Sequence, residues 1–145
     1  MQQSVQLIEG GNFTDARGTL GFVNDFNFTG VKRFYTILHP DKSVVRAWQG
    51  HKLEHKYFFV TRGKFLIACV LVDNWENPSA ALKVETWTLT ADRPAILSIP
   101  PGYANGIKAL EDHATLISFS DADIETGNQD NWRFDSSLWL DWSKY

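Results

Sequence analysis

Short stretches rich in apolar and β-branched residues alternate along the chain with short stretches of turn-forming residues. Such stretches suit the pleated, half-buried surface of a sheet and therefore predict strands. The predicted strands are Val44–Trp48, Lys56–Thr61, Lys64–Val72, Ala81–Thr90, Ala95–Ile99 and Ala114–Ser120. No segment keeps the i, i+3, i+4, i+7 apolar spacing of a helix for about a dozen residues, and 122–128 can form one helical turn at most.

Turn-forming residues lie between the predicted strands. Thr61–Lys64 predicts a hairpin turn, because Gly63 adopts positive φ without steric cost, and Pro100–Gly102 predicts a second tight turn. Many short strands joined by turns are typical of an all-β sandwich or barrel. The length of 145 residues predicts one domain over 1–145. We expect its Trp-rich segment, from about residue 130 onward, to pack back on the barrel, since an exposed cluster of Trp would form a sticky apolar patch on the surface.

Composition and charge exclude several classes of protein. A chain with 43% hydrophobic and 21% charged residues is not a disordered one, and a formal net charge of −3 argues against a nucleic-acid-binding surface. Cys69 is the sole cysteine, which rules out an intrachain disulfide and is typical of a reducing compartment. The sequence shows no long apolar run and no leader-like start, so we expect no membrane span and a cytoplasmic location.

The densest group of polar residues is Arg46–Lys52. Alternate residues of a strand share a face, so an extended segment would place Trp48 with Arg46, and Gln49 with His51 on the other face. Such a face brings an amide beside an imidazole, and Gly50 leaves room near both. The same pattern also fits a half-exposed polar edge strand, and the sequence does not decide between the two interpretations.

Two further segments are candidates for a binding site. Ile99–Gly106 joins a rigid turn to small residues, which lets a ligand approach the backbone closely, although it also fits a plain tight turn. Phe13–Gly18 places an acidic residue two positions before an arginine in a loop, a pattern that a solvated turn shows as well.

In this order and spacing, these segments resemble small cupin barrels, and more narrowly the dTDP-4-dehydrorhamnose 3,5-epimerase family and the related dTDP-4-keto-6-deoxyhexose 3,4-ketoisomerases. The similarity begins at Phe13–Gly18, continues through Val31–Tyr35 and ends near Leu140–Trp142. It implies an RmlC-like jelly roll, a nucleotide-sugar substrate and proton transfer next to a ketone, in the synthesis of surface-polysaccharide sugars such as those of O-antigen or capsule. It also implies a contact between subunits, and we expect a homodimer, the commonest oligomer, and no cofactor.

The resemblance assigns roles position by position. Arg46 and Arg17 would contact the nucleotide diphosphate, whose oxygens suit a guanidinium fork. Lys56 would stabilise the enolate at the sugar C4 oxygen, His51 would shuttle the proton, and Tyr35 would face the sugar. The remaining expected substrate contacts are Arg33, Trp48, Gln49, Tyr103 and Asn105.

The sequence departs from the epimerase pattern at two positions. The catalytic base histidine is replaced by Gln49, whose amide cannot abstract a proton, and no tyrosine stands at Asp121–Asp123, where the epimerase acid would lie. The alternatives are a weak epimerase, a ketoisomerase-like proton shuttle on His51, a non-catalytic cupin that binds a sugar or nucleotide sugar, and a partner-binding barrel without a ligand.

The metal-binding positions of cupins are also altered. They fall on Gln49, His51, on His55 or Lys56, and on Asn105, and one good ligand with an amide and a cation does not make a normal divalent site. We therefore predict no metal. His39 and His113 lie in predicted turns, and we expect both to face solvent.

Overall fold

Strands make up nearly half of the residues in the computed structural model, which describes residues 1–145. The strands are β1 (Gln6–Glu9), β2 (Gly11–Asp15), β3 (Gly18–Phe22), β4 (Arg33–Leu38), β5 (Val45–Gly50), β6 (Lys56–Arg62), β7 (Lys64–Leu71), β8 (Val84–Thr90), β9 (Ala95–Ile99), β10 (Tyr103–Ala109), β11 (Thr115–Ser120) and β12 (Trp132–Arg133). One α-helix, α1 (Ile124–Gln129), and one 3₁₀ turn, Trp142–Lys144, complete the chain. The all-β prediction is confirmed, and no helix has the length and apolar character needed to cross a bilayer.

Two five-stranded antiparallel sheets face each other. The first has the order β1-β9-β6-β11-β4 and the second β12-β5-β10-β7-β8, while β2 and β3 form a separate two-stranded ribbon. Side chains from both sheets meet in one apolar core, with Phe58, Leu97 and Leu116 from the first sheet and Phe65 and Ile107 from the second. The sheets therefore pack face to face, as in a sandwich whose inner faces share a core.

The outer face of the second sheet is buried as well. Strand β7 sends Phe65 and Ile67 into the core between the sheets and Leu66 and Ala68 to the opposite side. There the C-terminal segment covers the sheet and buries Trp142. A strand covered on both faces needs apolar residues at successive positions, which explains the unbroken apolar run in β7.

The structure corrects several local predictions. The turn predicted around Pro100–Gly102 is present, with Gly102 at φ +100°, but the chain after it forms β10, which the sequence pattern did not predict. His39 is 1% exposed rather than facing solvent, because it continues the inward-facing positions of β4 and its ring packs 5.3 Å from that of Phe65. His113 is exposed, as predicted.

Candidate functional site

A cavity of about 370 Å³ opens among five strands of the two sheets. Of the residues expected at the site, it brings together Tyr35, Arg46, Trp48, Gln49, Lys56 and Asn105. The other residues of its wall are Ile37, Val45, Ala47, Phe58, Ile107, Arg133 and Phe134. An apolar wall interrupted by a few convergent polar groups is typical of a small-molecule site.

An irregularity in β5 decides which of its side chains reach the cavity. Asn105 of β10 pairs with Gln49 and Ile107 pairs with Arg46, so three steps along β5 match two steps along β10. The extra residue shifts the alternation of β5, as a β-bulge does. Arg46 and Gln49 therefore both line the cavity, and their predicted separation onto opposite faces is wrong.

Trp48 is almost fully buried where β5 meets the C-terminal segment. It is 1% exposed, its Nε1–H donates to the carbonyl of Leu138 at 2.6 Å, and its ring packs 5.4 Å from that of Trp142. Its polar edge is thereby satisfied within the protein. In the cavity wall, Trp48 therefore provides apolar packing beside the polar groups.

The polar centre of the cavity is the ammonium group of Lys56. Its Nζ donates to the hydroxyl of Tyr35 at 2.8 Å and lies 3.4 Å from Oε1 of Gln49. Lys56 is 3% exposed, and none of the three ion pairs of the structure involves it. A buried ammonium bonded only to neutral groups strongly favours an added anion or a carbonyl oxygen that becomes negative.

Strand β11 lies between β4 and β6, and its small residues explain how Lys56 reaches Tyr35. Strand β11 pairs with both, and its inward-facing Ser118 and Ser120 are fully buried. Ser120 is opposite Lys56, and Ser118 is opposite Tyr35. Because these serines are small, the longer side chains of the two outer strands can meet above them.

His51 follows β5 and is held apart from the cavity wall. Its Nδ1 lies 2.7 Å from the carbonyl oxygen of Asp130 and 3.0 Å from Oε2 of Glu54. A carbonyl oxygen only accepts, so the proton of the neutral ring is on Nδ1, and the buried Nε2 has no hydrogen-bond partner. Burial and then the positive charge of Lys56 lower the pKa of His51, which favours the neutral imidazole.

Asp130 ties the segment after His51 to the end of α1. Its carboxylate accepts the backbone N–H groups of Lys52 and Leu53 at 2.7 Å each and of Glu54 at 2.9 Å. Asp130 is itself 4% exposed. The three bonds fix the backbone that presents both His51 and Glu54.

Besides His51, three residues expected at the site lie outside the cavity wall. Arg17 is in the turn between β2 and β3, where its side chain is 87% exposed and pairs with Asp15 at 2.6 Å. Tyr103 is buried in the core between the sheets. Arg33 donates to Glu54 at 3.2 Å and lies over the ring of Tyr35 at 5.3 Å, so it contacts the site from outside the cavity wall.

Sequence reasoning missed all seven remaining residues of the cavity wall, and two of them, Arg133 and Phe134, come from the end of the chain. They belong to the C-terminal segment, whose strand β12 pairs with β5 so that Arg133 is opposite Gln49. The sequence predicts that this segment packs on the barrel, which indicates that it can contribute to a site. Nothing in the sequence predicts the register in which it pairs with β5. Two arginines, Arg46 and Arg133, thus line one cavity.

No group of three or more His, Cys, Asp or Glu side chains is arranged to hold a metal ion. The imidazole of His51 is occupied at Nδ1 by protein groups, and its neighbour Lys56 repels a cation. The arrangement instead suits binding of an anionic ligand and stabilisation of charge on a carbonyl oxygen.

Comparisons with known proteins found matches in sequence and in fold. The sequence model described as dTDP-4-dehydrorhamnose 3,5-epimerase matches residues 3–145. No curated protein sequence is detectably similar to the chain.

Solved structures share the fold over nearly the whole chain. A dTDP-4-dehydrorhamnose 3,5-epimerase of Sulfolobus tokodaii is 27% identical, with 95% of this chain and 80% of that chain covered and a TM-score of 0.76. A dTDP sugar isomerase of Desulfovibrio desulfuricans is 20% identical, with 99% and 93% covered and a TM-score of 0.78. A 3,4-ketoisomerase of Thermoanaerobacterium thermosaccharolyticum, solved with TDP-4-keto-6-deoxyglucose, is 21% identical, with 92% and 90% covered and a TM-score of 0.71. The predicted RmlC-like jelly roll is confirmed.

Proposed function

Because the chain belongs to the dTDP-4-dehydrorhamnose 3,5-epimerase family, a family of dTDP-sugar isomerases, we propose that it isomerises a dTDP-linked 4-keto-6-deoxyhexose. The reaction moves a proton at a carbon next to the ketone. The observation that carries the proposal is the Lys56–Tyr35 pair, in which a buried ammonium without an anionic partner donates to a phenol at 2.8 Å inside the cavity.

Binding of the nucleotide involves the two arginines of the cavity. Arg46 and Arg133 are positively charged, and each guanidinium can donate two parallel bonds to phosphate oxygens. Their presence in the same wall as Lys56 favours a ligand that has both a diphosphate and a carbonyl. A nucleotide sugar with a keto group meets both conditions.

In the chemical step, the carbon next to the ketone gives its proton to a base, and the electron pair left behind moves to the ketone oxygen. Lys56 and the hydroxyl of Tyr35 stabilise this oxygen, and in an epimerisation the proton returns to the same carbon from the opposite face. In a ketoisomerisation the proton taken from C3 returns to C4, while the C3 hydroxyl gives its proton to the C4 oxygen and becomes the new ketone. We assign the base to His51, whose Nε2 carries a free lone pair. Epimerisation and ketoisomerisation share this first step and differ in where the proton returns.

The test uses the dTDP-4-keto-6-deoxyhexose in heavy water, with the sugar followed by proton NMR. We expect wild-type protein to introduce deuterium at C3 or C5 or to form the isomerised ketone. Lys56→Met should lower kcat by about 10²–10³-fold, as loss of one oxyanion donor does, while the exposed control Lys42→Met should retain full activity. Absence of both exchange and isomerisation in the wild-type protein would refute the proposal.

A non-catalytic cupin that binds the nucleotide sugar is the second candidate. Gln49 stands where the epimerase has its base, and His51 is not on the cavity wall, and both observations favour it. Calorimetry separates the two candidates: binding of the dTDP-sugar that is unchanged in His51→Ala, together with no turnover by wild type, supports the binding function.

We also propose a homodimer that serves surface-polysaccharide synthesis, as the family resemblance implies. The outer face of β4 supports the dimer, because Phe34 and Leu38 are 66% and 57% exposed there. Light scattering should give twice the chain mass of 16.5 kDa, and a monomer mass contradicts the dimer. Loss of a deoxysugar from the surface polysaccharide of a strain lacking the protein would support the cellular role.

A further inference from the structure

Glu54 is a buried carboxylate that has no role in the reaction proposed above. It is 2% exposed and belongs to the segment between β5 and β6. Its Oε1 accepts hydrogen bonds from Nη2 of Arg33, at 3.2 Å, and from the hydroxyl of Ser120. Its Oε2 lies 3.0 Å from Nδ1 of His51 and makes no hydrogen bond, so this contact is electrostatic. A buried charge needs such partners, so the orientation of Glu54 is strongly determined.

The surroundings of His51 determine the tautomer of its ring. The carbonyl oxygen of Asp130 and Oε2 of Glu54 both lie beside Nδ1, and both are acceptors. The ring proton is therefore on Nδ1, and the lone pair is on Nε2, which has no partner in the protein. The Asp130 carboxylate prevents this segment from shifting, because it binds the N–H groups of residues 52–54.

We propose that Glu54 is a positioning residue for His51, holding the ring with its proton on Nδ1 and stabilising the imidazolium formed when Nε2 accepts a proton. The inference rests on the proposed function, in which His51 is the base. Glu54 acts through His51 and does not touch the sugar. The same division of roles is found wherever a buried carboxylate orients a catalytic imidazole.

Three charged groups act on His51 and set the expected direction of its titration. Burial and then the charge of Lys56 disfavour the imidazolium, whereas Glu54 and Asp130 favour it. Arg33 offsets part of the Glu54 charge through their 3.2 Å contact. Removing the charge of Glu54 should therefore lower the pKa of His51 further and make the ring a weaker base.

Glu54→Gln is the informative variant because it keeps the size of the side chain and removes the charge. We expect kcat to fall by about 10-fold or more with KM unchanged, since the effect is on proton transfer and not on ground-state binding. The acid limb of the pH–rate profile should move to lower pH. Glu76→Gln, on an exposed residue whose side chain makes no hydrogen bond or ion pair, is the matched control and should change neither quantity.

Nitrogen-15 NMR of the imidazole tests the positioning directly and needs no turnover. Wild-type His51 should show a protonated Nδ1 and an unprotonated Nε2 at neutral pH, and Glu54→Gln should lower the titration midpoint. A wild-type ring with its proton on Nε2 overturns the proposal, even if Glu54→Gln does not fold. So does a folded Glu54→Gln protein with the spectra and the pH profile of wild type.

The same measurements separate this inference from the proposed function. A wild-type protein that neither exchanges nor isomerises the keto sugar refutes the proposed function, whatever the state of the ring. The imidazole spectra would still decide whether Glu54 orients His51. Normal activity together with an unaltered His51 in Glu54→Gln would refute the positioning role alone.

Discussion

Replacing Asp130 with asparagine should destabilise the protein by about 2–3 kcal/mol. Oδ1 of Asp130 accepts one backbone N–H, that of Lys52, and Oδ2 accepts two, those of Leu53 and Glu54. In asparagine one of these oxygens becomes an NH₂ group, which is a donor and faces an N–H donor. At least one bond is then lost, and the others lose the assistance of the charge.

The magnitude follows from the burial of the three donors. A hydrogen bond to a charged group contributes about 1.5–3 kcal/mol, and charge assistance roughly doubles the strength of a bond. Lys52 and Leu53 are exposed residues whose N–H groups can bind water after the change, which offsets part of the loss. Glu54 is buried, so its N–H has no such replacement.

Urea denaturation measures this loss as a lower midpoint at constant m-value. The matched control is Asp141→Asn, since the Asp141 carboxylate accepts one backbone N–H, that of Ser143, at the surface. Asparagine serves almost as well as aspartate in such a capping position, so the control should remain within about 0.5 kcal/mol of wild type. An Asp130→Asn protein as stable as the control would show that the carboxylate does not hold this segment, and the reasoning would fail.

Three further predictions follow from the same structure. Arg133→Met should weaken TDP binding by about 10-fold or more in calorimetry, as expected for the loss of a charged phosphate contact, and unchanged affinity would place the diphosphate elsewhere. Gly106→Ala should lower the free energy of unfolding by about 1–3 kcal/mol, because the added Cβ would lie 2.6 Å from the Trp142 ring and 2.8 Å from the Ala47 Cβ. A melting curve identical to that of wild type would contradict this. Burial lowers the pKa of His39, so the unfolded chain binds more protons than the folded one below about pH 6.5, and the free energy of unfolding falls as the pH decreases through this range. Between about pH 7.5 and 5, His39→Leu should therefore lose less stability than wild type. An equal loss in the two proteins would refute the argument.

The strands that the sequence predicts well are those whose local pattern matches their environment. Lys64–Leu71 is apolar at nearly every position because it is covered on both faces, and its bounds differ from the prediction by one residue. Strand β10 escaped prediction because Asn105 and Gly106 are poor strand formers. Gly106 is nevertheless required there, since Trp142 and Ala47 approach it too closely for any side chain. That requirement comes from the distant C-terminal segment, and no local pattern contains it.

The composition of the cavity depends on one such tertiary feature, the extra residue in β5. Strict alternation would put Gln49 and Arg46 on opposite faces, but the pairing of β5 with β10 returns both to the cavity. A shift of one residue exchanges the two faces of a strand. An assignment of faces by strict alternation is therefore wrong for every residue beyond the bulge. The resemblance predicted Lys56 and Tyr35 at one site, and the two side chains meet in the cavity because they lie on regular strands on either side of β11. It did not identify the partner of His51, because Glu54 lies outside any strand and its side chain is directed by Arg33 and Ser120, which are remote in sequence. Where the chain leaves regular structure, the geometry around His51 is set by buried polar contacts, and these can be read only from the folded protein.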